Sequence, residues 1–122
     1  SSADGSTFKA AVPIENVASY DIADTMTIRL KQDEDGAEHY IMIAITLSMD
    51  NQHEDYKEYG ESIGDRESLI KSEIISVVGQ YTMAEAQADE EALKQEILER
   101  IQNMFGSDFI LKVDFRDVKY SG

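Results

Sequence analysis

Two segments in the first half of the chain alternate between apolar and polar residues. In Thr25–Leu30 the apolar residues fall at every second position, and in Ile41–Met49 every odd-numbered position is Ile, Leu or Met. Because successive side chains of a β-strand point to opposite faces, each segment is predicted to be a strand with one buried face. Asp33-Glu34-Asp35-Gly36 lies between them and has the residue types of a tight turn. The two strands are therefore predicted to form an antiparallel hairpin.

After the hairpin the spacing of apolar residues changes to that of a helix. From about Tyr56 to Tyr81 they fall on one stripe with a helical period. We expect this helix to become firm only beyond Asp65, because two glycines weaken its first turns. Gly79, near the end, is predicted to cap the helix in the left-handed conformation. The buried stripe is predicted to contain Tyr56, Tyr59, Ile63, Ile70, Ile74, Val77, Val78 and Tyr81.

A short helix and a longer helix are predicted next. Thr82-Met83-Ala84-Glu85 matches a capping box, in which the Thr and Glu side chains bond to backbone N–H groups at a helix start. Asp89 is predicted to cap the start of the longer helix, and Gly106 is predicted to end it. The buried stripe of the longer helix is predicted to contain Leu93, Ile97, Ile101 and Met104, with Phe105 beside it.

The last predicted element is a strand whose alternation changes parity. Apolar residues occupy every odd-numbered position from Phe109 to Phe115, whereas beyond Asp117 the apolar residues Val118 and Tyr120 lie at even-numbered positions. A change of parity within one strand indicates a β-bulge, which we place near Asp117.

The start of the chain is expected to lie outside the main domain. Ser1–Thr7 is small and polar and is expected to be mobile, and Phe8–Val17 is interpreted as an extended edge segment. Residues 1–22 are assigned to a flexible linker or edge segment and residues 23–122 to a single domain. The predicted order is strand, strand, helix, short helix, helix, strand. That order indicates an α+β fold, with amphipathic helices packed on one face of an antiparallel sheet.

The strongly negative charge of the chain disfavours polyanionic partners. It has 11 basic and 25 acidic residues, for a net charge of −14. Nucleic acids and anionic membrane surfaces are polyanions, so no nucleic-acid partner is expected. There is no cysteine, which excludes disulfides, thiolate catalysis and Cys-based metal sites. The longest apolar run, Tyr40–Leu47, is too short to span a bilayer.

The two histidines, His39 and His53, are the candidate centres for metal binding or acid–base chemistry. His53 lies in Asp50–Asp55, which offers several oxygen ligands but lacks the spacing of a calcium loop, so the segment is interpreted as a solvated loop. Asp33–Gly36 is too short for such a loop and is interpreted as the hairpin turn. A hydrolase would need acidic side chains to converge on one of the histidines. No catalytic residue, metal or cofactor is predicted.

Three apolar residues lie off the predicted core faces. Leu69 and Ile75 fall outside the stripe of the first long helix, and Met42 lies on the second face of the hairpin. Isolated apolar residues on a surface are normal, and the second face of the sheet could also be partly covered. The functional interpretation is that Leu69, Ile75 and Met42 belong to an interface with a subunit or partner.

Four segments together resemble the extracytoplasmic domain of the FliL family, which consists of flagellar basal-body proteins associated with the stators of the motor. They are the alternating strand Tyr40–Met49, the small and polar tract Ser76–Thr82 that leads to a threonine cap, the helix Ala92–Ile101, and the final Phe115–Val118. The resemblance extends over roughly residues 25–120.

The resemblance implies a fold, a location and a set of partners. Proteins of this family cross the inner membrane once, and their C-terminal domain lies on its extracytoplasmic (periplasmic) side. That domain is similar to the core of the stomatin (SPFH) domain, which favours ring-forming oligomers. The family is thought to surround or brace the MotA/MotB-type stator, and no enzymatic activity is implied. The resemblance further implies a full-length protein with a membrane helix that is absent from this sequence.

Another interpretation uses the same α+β frame. A small-ligand or solute-binding module would need a concave pocket with a few convergent polar groups. A space filled by side chains between the sheet and the helices would argue against that interpretation.

Overall fold

A computed structural model gives the fold, and the structure describes residues 11–122. The expectation for Ser1–Thr7 lies outside the described residues, as does the first part of the edge segment expected at Phe8–Val17. Within the described part, the chain forms four strands and three α-helices in the order β-β-β-α-α-α-β. The α+β class predicted from the sequence is confirmed.

The sheet is built around one long central strand. The strands are β1 (Val17–Asp21), β2 (Met26–Arg29), β3 (Tyr40–Asp50) and β4 (Ile110–Ser121), and β3 is antiparallel to each of the others. Pairing with β4 extends along one edge of β3 from Tyr40 to Met49. Because a strand has only two edges, β1 and β2 share the other edge, end to end. The predicted hairpin is the β2–β3 pair, with Ile28 opposite Ile41.

Three α-helices follow the hairpin. They are α1 (Glu67–Val78), α2 (Met83–Ala88) and α3 (Glu90–Phe105). A π-helical turn at Tyr56–Gly60 and a 3-10 turn at Ile63–Arg66 precede α1. The predicted long helix is therefore regular only after its glycines. α1 packs against α3, and α3 packs against β4.

Both predicted N-terminal caps are present. Thr82 Oγ1 accepts a hydrogen bond from the Glu85 N–H at 3.1 Å, and Glu85 Oε1 accepts one from the Thr82 N–H at 2.9 Å. The Asp89 side chain accepts a hydrogen bond from the Ala92 N–H at 3.0 Å at the start of α3. At the other end of α3, Gly106 has a φ of +64° and forms the left-handed cap.

The core lies between the sheet and the helices and is filled by apolar side chains. The odd-numbered residues of β3 from Ile41 to Met49 face the helices and are buried. The buried residues of α1 and α3 are Ile70, Ile74, Val77, Val78, Leu93, Ile97, Leu98 and Ile101. Tyr56, Tyr59, Tyr81, Met104 and Phe105 pack against this core while partly exposed, so the predicted stripes are confirmed.

The prediction of a left-handed cap at Gly79 is wrong. Gly79 has a φ of −65°, and its N–H donates to the Ile75 carbonyl at 2.9 Å, so the chain leaves α1 through right-handed turns. A Cβ at this position would lie 3.1 Å from the Ile75 carbonyl oxygen and 3.7 Å from the Arg29 carbonyl oxygen. The tight contact is therefore with the last turn of α1 itself, whereas the distance to the Arg29 carbonyl on β2 is an ordinary van der Waals separation.

The predicted bulge in β4 is confirmed, and a second irregularity accompanies it. Ala44 is opposite Asp117 whereas Ile45 is opposite Phe115, which leaves Arg116 as the extra residue. A second register shift lies between Ser48 and Met49 and leaves Leu111 without a partner residue on β3. The sequence pattern did not predict this second shift, because apolar residues occupy both sides of it.

Candidate functional site

α1 carries two exposed large apolar residues, and a third, Ile14, lies in a 3-10 turn before β1. Leu69 is 60% exposed and Ile75 is 48% exposed. They are six residues apart, which at about 100° per residue places them about 120° apart around the helix axis. Leu69 lies on the side of α1 that faces α3, whereas Ile75 lies on the side of Lys71, whose ammonium is 3.3 Å from Asp24.

Leu69 borders a shallow groove between α1 and the end of α3. The groove has a volume of about 140 Å³ and is lined by Tyr59, Arg66, Leu69, Met104 and Phe105. Apolar side chains form most of its wall, and the Arg66 guanidinium carbon lies 5.3 Å from the centre of the Tyr59 ring. This geometry keeps a positive charge beside an apolar depression.

An aromatic cluster supports the groove from below. The rings of Tyr59 and Phe105 have centroids 5.6 Å apart, and Phe105 meets Phe109 edge to face at 5.2 Å. Phe109 is fully buried and lies immediately before β4. The groove is therefore built by residues from the π-helical turn, the 3-10 turn, α1 and the end of α3, and the buried Phe109 packs against Phe105 in its wall.

Met42 lies on a different surface of the molecule. It is half-buried on the sheet face that points away from the helices, between Thr27 on β2 and Lys119 on β4. The structure therefore does not bring the three predicted interface residues together. One flat contact can include Leu69 or Ile75, but it cannot also include Met42.

Acidic side chains converge on His39 in the β2–β3 connection. Its Nε2 is 2.9 Å from Asp35 Oδ2 and 4.0 Å from Asp33 Oδ2, and the residue is only 3% exposed. The hydrogen bond to Asp35 raises the pKa of His39 above its usual value, although desolvation opposes the shift. The Ala37 backbone N–H and then His39 lower the pKa of Asp35.

His53, in the loop after β3, also lies beside acidic residues, in a more exposed position than His39. The His53 Nε2 is 2.8 Å from Asp108 Oδ1, and its Nδ1 accepts a hydrogen bond from the Asp55 N–H at 3.0 Å. The ring also lies 6.3 Å from that of Phe109. These contacts tie the loop after β3 to the turn before β4, while Gln52 and Glu54 of the same loop are exposed to solvent.

Neither histidine forms the constellation that nucleophilic catalysis needs. Acidic side chains do lie beside both imidazole rings, as the hydrolase interpretation requires. Within residues 11–122, however, no serine or threonine hydroxyl is hydrogen-bonded to either imidazole. Asp33, Asp35 and His39 form a cluster of side chains that could bind a metal ion. Their potential ligand atoms lie within 4.8 Å of one another.

Comparison with protein families identifies the chain. Residues 19–119 match the family model described as flagellar basal body-associated protein FliL. The chain belongs to the FliL family. The match begins within β1 and ends within β4, so it includes all four strands and the three α-helices. No individual curated protein matches the chain significantly.

Membership of the FliL family assigns the chain to the flagellum. It is a basal-body protein domain, and its biological context is motility. Of the helices in residues 11–122, none is both long enough and apolar enough to cross a bilayer. The space between the sheet and the helices of this FliL domain is filled by apolar side chains. This filled core argues against a solute-binding pocket between the two layers.

Sequence reasoning found only part of the groove of the FliL domain. It singled out Leu69 from its position off the stripe, but it placed Tyr59, Met104 and Phe105 in or beside the core stripes. Partial exposure of residues at the ends of a stripe depends on how two helices pack, and one helical period does not contain that information.

Proposed function

We propose that this domain is a non-enzymatic part of the flagellar basal body that associates with the MotA/MotB-type stator and supports torque. It would act on the extracytoplasmic, periplasmic side of the inner membrane. A membrane helix outside the present sequence would anchor the full-length protein there. Membership of the FliL family supports the general role, and the resemblance described above supports the finer assignment to the stator.

The observation that carries the proposal is the exposure of two apolar residues on α1. Leu69 and Ile75 are each about half exposed or more, and Leu69 continues into the groove beside Phe105. An apolar anchor that can enter or cover a groove is the typical centre of a protein–protein contact. We therefore assign the stator contact to α1 and the adjacent groove.

A ring of copies is the second part of the proposal. The domain would be similar to the stomatin (SPFH) core and would form a ring around the stator. Tethering in the plane of a membrane raises the effective concentration of neighbouring copies, so a weak contact between domains is sufficient. Met42 faces away from α1, and we propose it for the contact between copies rather than for the contact with the stator.

Titration with the stator subunit tests the proposed contact. The purified domain is mixed with the extracytoplasmic linker of the cognate MotB-type subunit, and binding is measured at low and moderate salt. We expect saturable binding that weakens about tenfold in Leu69→Asp or Ile75→Asp, because a charge at an apolar anchor typically removes at least 1–2 kcal/mol of binding free energy.

The matched control adds the same charge elsewhere. Gln87 is exposed on α2, away from the groove, so Gln87→Asp should bind as the unchanged domain does. Circular dichroism confirms that each variant is folded. An equal loss of binding in Gln87→Asp would show that general repulsion by the added charge, not the α1 surface, governs the contact. No binding by the unchanged, folded domain would contradict a direct contact made by a single copy.

A further inference from the structure

The connection between β2 and β3 is a locally fixed loop. The Leu30 N–H donates to the His39 carbonyl at 2.9 Å, which closes the base of the loop. Gly36 has a φ of +73°, and its N–H donates to the Asp33 carbonyl at 3.1 Å. The Ala37 N–H donates to Asp35 Oδ1 at 2.9 Å. These bonds hold one carboxylate oxygen of Asp35 and leave its Oδ2 directed at His39.

His39 is an unusual residue for such a loop because its imidazole is buried. It is the only buried polar or charged residue in the described part of the chain, and its Nδ1 has no hydrogen-bond partner there. Burial restricts the ring to one orientation, in which Nε2 points at the two carboxylates.

No basic side chain of the described residues compensates the two carboxylates. Arg29 pairs with Glu38 at 2.9 Å, and within residues 11–122 neither Asp33 nor Asp35 has an ion pair with a lysine or an arginine. When the imidazole is neutral, two carboxylates therefore share one site without a balancing cation. The net charge of −14 adds to the attraction of this site for cations.

We propose that Asp33, Asp35 and His39 form a binding site for one divalent transition-metal ion, of which Zn²⁺ is the representative probe. One imidazole nitrogen and two carboxylate oxygens are a ligand set that zinc accepts, and three protein ligands leave a fourth position for water. The site goes beyond the proposed role at the stator and does not depend on it.

The distances fit a small cation. Zinc–ligand bonds of about 2.0–2.2 Å in tetrahedral geometry place ligand atoms about 3.3–3.6 Å apart. The separations of 2.9 Å and 4.0 Å between Nε2 and the two carboxylates lie on either side of this range, so small side-chain movements suffice. The open position would face a surface recess lined by Gln32, Glu34, Thr82 and Ala84 as well as by the two aspartates.

Calorimetric titration tests the site. The chelator-treated domain is titrated with Zn²⁺ and, separately, with Ca²⁺ in a buffer that does not bind metals. We expect one zinc site per chain, weakened about tenfold or more in Asp33→Asn and in His39→Gln, and much weaker binding of calcium, which prefers oxygen ligands. Asp33→Asn is the primary variant, because Asp33 lies 4.0 Å from the ring and its loss perturbs the fold least.

His53 supplies the matched control. It also lies beside carboxylates, but its side chain is 22% exposed and Asp108 is 76% exposed. His53→Gln should leave zinc binding unchanged, and imidazole resonances in a nuclear magnetic resonance titration should shift for His39 only. Three results would overturn the proposal: no saturable zinc binding, equal weakening by His53→Gln, or calcium binding that is as tight as zinc binding and survives His39→Gln.

Discussion

Arg116 is the residue through which the β4 bulge contacts the opposite edge of the sheet. Its guanidinium donates from Nη1 to the Ile45 carbonyl at 2.5 Å and from Nη2 to the Ile22 carbonyl at 3.0 Å. The Ile22 carbonyl lies in the gap between β1 and β2, where the edge of β3 has no continuous partner strand. The extra residue of the bulge thus allows one side chain to join three strands.

Replacing Arg116 should destabilise the domain more than an ordinary surface change. In Arg116→Met the apolar stem remains but two backbone carbonyls lose a charged donor, and we expect a loss of about 1–3 kcal/mol in the free energy of unfolding. Urea denaturation measures this loss. Lys119→Met is the control, because Lys119 is exposed on the same strand. Equal midpoints for the two variants would mean that the Arg116 contacts contribute no net stability.

A hydrogen bond of Tyr81 is predicted to stabilise the domain, and this stabilisation is predicted to be lost at alkaline pH. Its hydroxyl donates to Glu96 at 2.6 Å, and this hydrogen bond, with smaller effects of burial and nearby acids, raises the pKa of Tyr81 from 10.0 to about 12. A raised pKa means that the folded state favours the protonated phenol. The stabilisation is therefore complete below pH 10.0 and is lost as the pH rises towards about 12.

The absorbance of tyrosinate checks the Tyr81 prediction. The difference between the titration curves of the unchanged domain and Tyr81→Phe should show one phenol that ionises near pH 12. Replacing Glu96 with Gln should return that ionisation towards pH 10.0, because the negative partner is removed. A difference curve already centred near the ordinary tyrosine value would show that the Tyr81–Glu96 bond does not persist in solution.

At the scale of elements, the end of α3 depends on one glycine. Gly106 has a φ of +64°, and no other group lies within 4 Å of where its Cβ would be. Gly106→Ala should therefore lower the free energy of unfolding by about 1–2 kcal/mol through backbone strain alone. Gly106→Asn should cost less, because asparagine tolerates the left-handed conformation. Thermal unfolding measures the stability of both variants. Equal losses of stability would show that the left-handed backbone conformation is not the cause of the destabilisation.

Local signals explain which elements the sequence could predict. The capping box at Thr82–Glu85 and the cap at Asp89 use residues within three positions of each other, so their patterns are complete in the sequence. β1 has no clear alternation, and it is a strand because the edge of β3 from Thr46 to Asp50 is available to it. The right-handed conformation of Gly79 was not predictable from its place after an apolar stripe, because glycine adopts left- and right-handed backbone conformations with similar ease.

The candidate site was predictable to a smaller extent. The exposure of Leu69 and Ile75 followed from their positions off a helical stripe. The groove beside Leu69 could not be predicted, because its wall combines a π-helical turn with the ends of two helices. The convergence of Asp33 and Asp35 on His39 depends on burial of an imidazole at the start of β3, and a turn-like sequence gives no sign of that burial.

At the scale of the whole molecule, the exposed apolar residues of α1 and the half-buried Met42 lie on opposite sides of the sheet–helix layers. α1 presents Leu69 and Ile75 on one side, and the open face of the sheet presents Met42 on the other. The stator contact proposed for α1 would therefore leave the open face of the sheet available to neighbouring copies. The net charge of −14 opposes any contact between identical copies.

Self-association of the domain should therefore be weak and should strengthen with salt. Repulsion between exposed like charges is screened over about 8 Å at physiological ionic strength, whereas burial of apolar surface is not weakened by moderate salt. Analytical ultracentrifugation across a salt series measures the association constant. Met42→Asp should weaken self-association, whereas Leu69→Asp should leave it nearly unchanged although it adds the same charge. A larger loss of self-association in Leu69→Asp than in Met42→Asp would place the contact between copies on α1. The stator contact would then need a different surface, because one face cannot bind both partners at once.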